Sequence, residues 1–394
     1  MPFDAPMPNT LRPMIPRTIF QSEHEDFRNT VRRFINEEVM PHHERFEEQQ
    51  QVDREIWTKA GQMGLLSLTI PEQYGGAGVD RLYSTVVIEE ICATGASSLG
   101  WPVHSDIVAP YILNYGTEEQ KQRWLPGMVD GSVVGAVAMT EPGTGSDLQG
   151  IATRAIEDGD DYIINGSKIF ITNGYLADLV IVAAKVGEEE GAKGVSLILV
   201  EADREGFSKA KPLKKVGLKG QDTCELFFNN VRVPKSNVLG GANGVGKGFI
   251  MLMQELAWER MIIAIMSVAA ARSTLEHTVD YVKSRKAFGK PVAAFQNTRF
   301  KLAEMRTQVE IGQVYVDRCL ELVLQNRCSA EAAAAAKYWT SDMAMQVIDE
   351  CVQLHGGYGF MWEYPVARAW ADGRAMRIYG GTNEIMKELI ARTI

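Results

Sequence analysis

Cysteine is scarce in this chain and follows no pattern. Cys92, Cys224, Cys319, Cys328 and Cys351 are five in 394 residues. An odd count without a C-x-x-C pair supports neither a disulfide framework nor a zinc site, and a reducing, cytoplasmic compartment is the expectation. Long apolar runs are missing too. The strongest, Met261 to Ala271, is broken by Ser267 and flanked by Glu259, Arg260 and Arg272, well short of the roughly 20 residues that cross a bilayer. No membrane span is expected. Nor is positive charge in excess. The 41 Lys and Arg against 50 Asp and Glu leave a net charge of -9, which repels phosphate backbones and anionic lipid, so nucleic acid is not an expected partner. Finally, Pro2, Pro6, Pro8, Pro13 and Pro16 break both the apolar core of a secretory signal and the amphipathic helix of a transit peptide. A short N-terminal arm is expected instead.

Several common signatures are absent as well. No G-x-G-x-x-G follows a strand, no G-x-x-x-x-G-K-[ST] occurs, and no H-E-x-x-H occurs, which disfavours a Rossmann dehydrogenase, a P-loop enzyme and a zinc protease. The histidines show no pair at helical ligand spacing with a carboxylate partner, so no metal is expected.

What remains is an ordinary globular composition, 45% hydrophobic and 23% charged, long enough for two or three units. From Phe20 to about Asp130 the apolar residues Phe27, Val31, Phe34, Ile35 and Val39 recur at helical spacing, with Pro41 expected to close that segment. Pro71 to Gly78 reads as a loop, and Thr117 with Gln120 reads as a helix cap. From Val133 to about Gly240 short β-type runs alternate with glycine, and Asn165-Gly166 predicts a hairpin turn. The cluster Gly240 to Gly248 reads as a hinge rather than a phosphate cradle. Beyond it, Leu302, Met305, Val309, Gly312, Val316, Leu320 and Val323 trace one face of a long helix, and Ser329 caps the next. The expected class is α+β, with a helical unit over 1–132, a β unit over 133–243 and a helical unit over 244–394.

Three places have residues suited to chemistry. Met139 to Asp147 packs three hydroxyls, two carboxylates and free amides into a loop after a strand, a form that hydrogen-bonds a polar ring edge or is simply a turn. Tyr379-Gly380-Gly381-Thr382 precedes a helix, where open amides favour an oxyanion. Glu255 and Glu259, four apart in an apolar helix, are either paired structurally or held dry for proton transfer.

Five motifs in register, MTEPGTGSD, INGSKIFITNG, RKAFGK, QLHGGYG and IYGGTNE, resemble the acyl-CoA dehydrogenase family along essentially the whole chain, most closely its long-chain type. The resemblance implies an N-terminal helical domain, a middle β-domain and a C-terminal four-helix bundle, with FAD as cofactor. It implies that Met139, Thr140, Gly145, Ser146, Phe170 and Thr172 contact the flavin. Arg285, Phe288, Gln296, Gln353 and Gly357 would hold the adenine dinucleotide portion across a dimer interface, with Thr382 and Glu384 completing the FAD site. Ser146, Arg260, Tyr379 and Gly381 would bind substrate.

Many members of the family carry the catalytic glutamate where this chain has Gly380, which has no base to offer. The long-chain and isovaleryl-type members supply it from a helical Glu-Arg pair, matched here by Glu259-Arg260. Glu259 is therefore the expected base, and the Gly380 amide the expected donor to the thioester carbonyl. The implied reaction converts an acyl-CoA, of long chain by the closest type, to trans-2-enoyl-CoA, with electron-transfer flavoprotein as electron acceptor and a dimer of dimers as assembly. Three alternatives stand beside it: a flavin oxidase or monooxygenase of the same fold, a branched-chain (isovaleryl- or citronellyl-like) dehydrogenase, and a non-catalytic flavin-binding protein.

Overall fold

A computed structural model describes residues 11–189 and 191–394. Of the N-terminal arm, residues 1–10 lie outside the described residues.

The first unit comprises α1 (Ser22–Phe34), α2 (His43–Gln49), α3 (Arg54–Gln62), α4 (Arg81–Thr94), the single turn α5 (Trp101–Val103), α6 (Ala109–Tyr115) and α7 (Glu118–Val129). Val31, Phe34, Ile35 and Val39 are fully or almost fully buried, as the helical spacing predicts. Pro41 does not end the helical path. The chain loosens into a π-turn over Ile35–Val39 and a 3-10 turn over Met40–His42, then resumes as α2. A proline in a first turn forfeits no helical hydrogen bond. Thr117 and Gln120 form the predicted capping box. Arg28 bridges Glu89 and Glu90 of α4, and Arg17 reaches both Glu89 and Asp317. The arm is thereby tied to the C-terminal helices.

The middle unit is a seven-stranded sheet of β1 (Gly135–Ala138), β2 (Arg154–Asp158), β3 (Asp161–Ile171), β4 (Leu179–Val186), β5 (Val195–Glu201), β6 (Phe207–Lys209) and β7 (Cys224–Pro234). Its order is β1-β4-β2-β3-β7-β6, with β5 pairing β4. Strand side chains alternate between faces. Leu179, Ile181 and Ala183 of β4 join a core with Tyr111, Ile112, Leu125 and Leu252, whereas Val180, Val182 and Ala184 join a second core with β3 and β7. The sheet thus presents one face to α6, α7 and the start of the next helix.

Asn165-Gly166 is not a hairpin turn. β3 runs straight through it, and the β2-β3 turn lies at Gly159-Asp160, between the paired Asp158 and Asp161. A register shift falls between Ile164 and Gly166, and a Cβ on Gly166 would stand 2.5 Å from Thr153 Oγ1. Close approach of a neighbouring backbone inside a strand gives the same glycine signal as a turn.

The third unit contains α8 (Gly248–Ser284), a small hairpin of β8 (Lys286–Ala287) and β9 (Lys290–Pro291), α9 (Gln296–Leu324), α10 (Ala330–His355), α11 (Pro365–Gly373) and α12 (Asn383–Ala391). Helices α8, α9 and α10 pack on one another, α11 packs against α8 and α10, and α12 packs against α10. Met305, Val309, Gly312, Val316 and Leu320 are buried along α9, and Ser329 caps α10 as expected. The glycine cluster before α8 forms a 3-10 turn over Gly241–Gly244, and Gly248 packs against the backbone of Ser196. No helix of the described residues is long and apolar enough to cross a membrane. Among the described residues, no group of three or more His, Cys, Asp or Glu could hold a metal ion.

Candidate active site

Glu259 lies in the middle of α8 with Trp258 and Arg260, all three buried. Tyr111 of α6, itself fully buried, donates its hydroxyl to Glu259 Oε1 at 2.8 Å. One turn earlier on α8, Glu255 Oε1 accepts from Tyr115 Oη and from Asn114 Nδ2, both at 2.9 Å. Two tyrosines four apart on one helix therefore meet two glutamates four apart on another. Loss of hydration disfavours a buried carboxylate, so burial pushes Glu259 up to about 7. The Tyr111 hydrogen bond and the Arg260 charge oppose that rise, and the Glu255 charge adds to it. Arg260 Nε has no hydrogen-bond partner among the described residues.

Gly380 and Gly381 have φ of +65° and +89°, a region that favours glycine. A Cβ on Gly380 would come 2.4 Å from Ile263 Cδ1. Ile263 follows Glu259 by one helical turn, so the glycine turn meets α8 on the face that carries Glu259. Lys337 of α10, fully buried, ties this turn down: its Nζ donates to Gly381 O at 2.7 Å and to Asn383 Oδ1 at 2.9 Å. Burial lowers Lys337 to about 8. Thr382 caps α12, its Oγ1 accepting from Ile385 N. Burial holds the Tyr379 phenol above its ordinary range. Exposed Glu384 is held low by its own amide and by the Thr382 hydroxyl.

A second group gathers at the end of β1 and along β3. Thr140 O accepts from Ile169 N, which brings the Met139–Ser146 loop beside Phe170 and Thr172. Buried Lys168 donates to Met139 O and to Glu141 Oε1, and Glu141 in turn accepts from the amides of Ala152 and Thr153. Phe170 has φ +61° and is 64% exposed, an unusual state for an aromatic residue in a strand. At Gly143 and Gly145 the space a Cβ would occupy is open.

Arg285, Phe288, Gln296, Gln353 and Gly357 form a third group, at the far end of the bundle. The Arg285 guanidinium lies over Tyr358, and Phe288 meets Phe295 edge-on. Phe288 is 96% exposed. Arg285 follows Glu259 by 26 residues along the same helix, a separation of about 39 Å at 1.5 Å per residue. The chain does not bring these residues to Glu259.

These surfaces fit FAD. Exposed Phe170 beside the open Gly143–Gly145 turn offers a flat apolar face with hydroxyls and amides at its rim. Arg285 and the unobstructed Gly356 and Gly357 suit an anionic dinucleotide. Sequence reasoning did not single out Tyr111, Lys168 or Lys337. For Tyr111 there was a signal, the matching four-residue spacing of Tyr111/Tyr115 and Glu255/Glu259.

The chain matches the N-terminal domain of acyl-CoA dehydrogenase over residues 21–132, its middle domain over 136–231 and its C-terminal domain over 246–394. It is 53% identical to the mitochondrial long-chain specific acyl-CoA dehydrogenase of Sus scrofa, over 96% of this chain and 88% of that protein. Among solved structures, it resembles an acyl-CoA dehydrogenase of Geobacillus kaustophilus with a TM-score of 0.94 and 46% identity, covering 96% of this chain and 99% of that one. A glutaryl-CoA dehydrogenase of Mycobacterium smegmatis in complex with FADH2 aligns with a TM-score of 0.88 and 30% identity, covering 95% of each chain. The chain belongs to the acyl-CoA dehydrogenase family, FAD-dependent oxidoreductases that act on CH-CH bonds.

Proposed function

We propose that this enzyme dehydrogenates long-chain acyl-CoA thioesters to trans-2-enoyl-CoA, with Glu259 as the base. The observation that carries the reading is Glu259 itself: buried, held by Tyr111, titrating near 7 and placed beside the Gly380 turn. A general base works best when its pKa lies near the working pH. The long-chain assignment rests on the Sus scrofa relative.

The α-hydrogens of a saturated thioester are weakly acidic, so the site must stabilise negative charge on the carbonyl oxygen as the proton leaves. The resemblance assigns the Gly380 amide that donor role, and Lys337 holds the turn in place. Glu259 takes the α-proton on the carboxylate. Arg260 binds the substrate and partly offsets the charge on Glu259, together with Tyr379, Gly381 and Ser146 at the thioester. Met139, Thr140, Gly145, Ser146, Phe170, Thr172, Thr382 and Glu384 hold the flavin end of FAD. Arg285, Phe288, Gln296, Gln353 and Gly357 hold its adenine dinucleotide end from a second copy. When bound, FAD supplies the acceptor for the β-hydrogen, which leaves as hydride.

The proposed assembly is a homo-oligomer, a dimer of dimers as in the family, and the divided site needs at least two copies. Electron-transfer flavoprotein is the proposed acceptor, the proposed units are 1–132, 133–243 and 244–394, and the proposed location is cytoplasmic. Reduction of the FAD-loaded protein by a straight-chain series from butyryl- to palmitoyl-CoA, with isovaleryl-CoA alongside, tests the substrate. The expected result is the highest kcat/KM at the long end. Preference for isovaleryl-CoA would replace the long-chain assignment with a branched-chain one.

A further inference from the structure

We propose that Tyr111 is a positioning residue for the base: its hydroxyl holds the Glu259 carboxylate in its working orientation and keeps it ionisable inside a dry helix interface. The proposal rests on the reading of Glu259 as base.

The ring of Tyr111 has no freedom to turn away. It is fully buried in the core that α6 shares with the sheet and the start of α8, among Val108, Ile112 and Leu252. Its hydroxyl takes Oε1 of Glu259 and leaves Oε2 to receive the proton. The second rung, Tyr115 and Asn114 on Glu255, fixes the register of α6 against α8, so that the first rung stays at hydrogen-bond distance. A hydroxyl donated to an ionised carboxylate is a charge-assisted bond and favours the charged form.

The charged and titratable groups around Glu259 come from four elements. Tyr111 and Tyr115 face it from α6, and Glu255 and Arg260 belong to its own helix. Arg81 of α4 stacks on Trp258 and faces both Glu255 and Asp106. Lys337 of α10 lies beyond Arg260. Of these, Tyr111 alone donates a hydrogen bond to Glu259 among the described residues. Glu255, one turn away, acts in the opposite sense because a like charge disfavours ionisation. The pair Tyr111 and Glu255 therefore sets the titration of the base from both sides.

The test is Tyr111→Phe, which keeps the ring and its packing and removes only the hydroxyl. Two readouts are needed: the pH profile of kcat/KM for flavin reduction, and an infrared titration of the protonated carboxyl band that disappears in Glu259→Gln. Loss of a hydrogen bond to a charged group is expected to move both midpoints up by about one pH unit and to lower the rate at pH 7 about fivefold. Activity should recover in part at high pH. Glu255→Gln should move the midpoints down. If Glu259→Gln is inactive while Tyr111→Phe titrates as wild type does, the role of Tyr111 is overturned and the base assignment stands. If Glu259→Gln still reduces the flavin at the wild-type rate, the base assignment fails, and the proposal with it.

Discussion

A carboxylic acid enclosed as fully as Glu259 binds its proton more tightly in the folded protein than in the unfolded chain. The sign of its effect on stability follows. Its folded pKa, about 7, lies above the ordinary 4.5, so the folded state is favoured below pH 4.5 and loses that advantage as pH rises through 7. Glu259→Gln removes the titration and should stabilise the protein at pH 8 by up to about 3 kcal/mol, with the gap closing at pH 5. Thermal unfolding at the two pH values measures it. Gly380 makes a second prediction at this scale. Alanine there must adopt φ near +65° and displace the Ile263 methyl. The expected cost is about 1–2 kcal/mol, with a loss in kcat larger than in KM, read by steady-state kinetics. Among single residues, Glu259 could be proposed from the sequence because the Glu-Arg pair is a sequence feature. Tyr111 could not, because its partner lies 148 positions away and only the packing of α6 on α8 joins them.

At the scale of elements, the Met139–Ser146 loop depends on one buried ion pair. Lys168 is fully buried, and burial lowers it to about 8 against the pull of Glu141. The pair also orders Met139 O and the amides of Ala152 and Thr153, so it joins the end of β1 to the start of β2 and to β3. Glu141→Ala leaves the ammonium uncompensated and should cost about 3–5 kcal/mol. Weaker FAD retention should accompany the loss, measured by denaturant unfolding and by flavin absorbance after gel filtration. Most elements were readable from periodicity and caps, as Thr117, Ser329 and the α9 face demonstrate. The failures share a cause. Pro41 and Asn165-Gly166 carry strong local signals, yet tertiary contacts decided what those signals meant: a turn passing into α2 in one case, and a register shift against β7 with Thr153 packed close in the other. The short strands β2 and β6 were missed because a five-residue and a three-residue segment leave too little pattern to read.

For the whole molecule, the order helical, β, helical was legible because the repeat of apolar residues changes with secondary structure. The division of the cofactor site between two copies rests on resemblance; within one chain Arg285 stands 26 residues beyond Glu259. Phe288 and Phe360 are 96% and 89% exposed, and the resemblance sets Phe288 at the dimer interface beside the cofactor. Phe288→Asp should reduce the assembly and the bound FAD together, a coupling that light scattering with flavin absorbance reports. Retention of full FAD by a monomeric variant would contradict the shared site.

The central claim is that Glu259 takes the α-proton. Anaerobic mixing of the FAD-loaded protein with palmitoyl-CoA, wild type beside Glu259→Gln, tests it most directly. The account predicts rapid bleaching of the wild-type flavin and none in the variant, although the variant still binds the thioester. Equal bleaching in both would contradict it and place the base elsewhere.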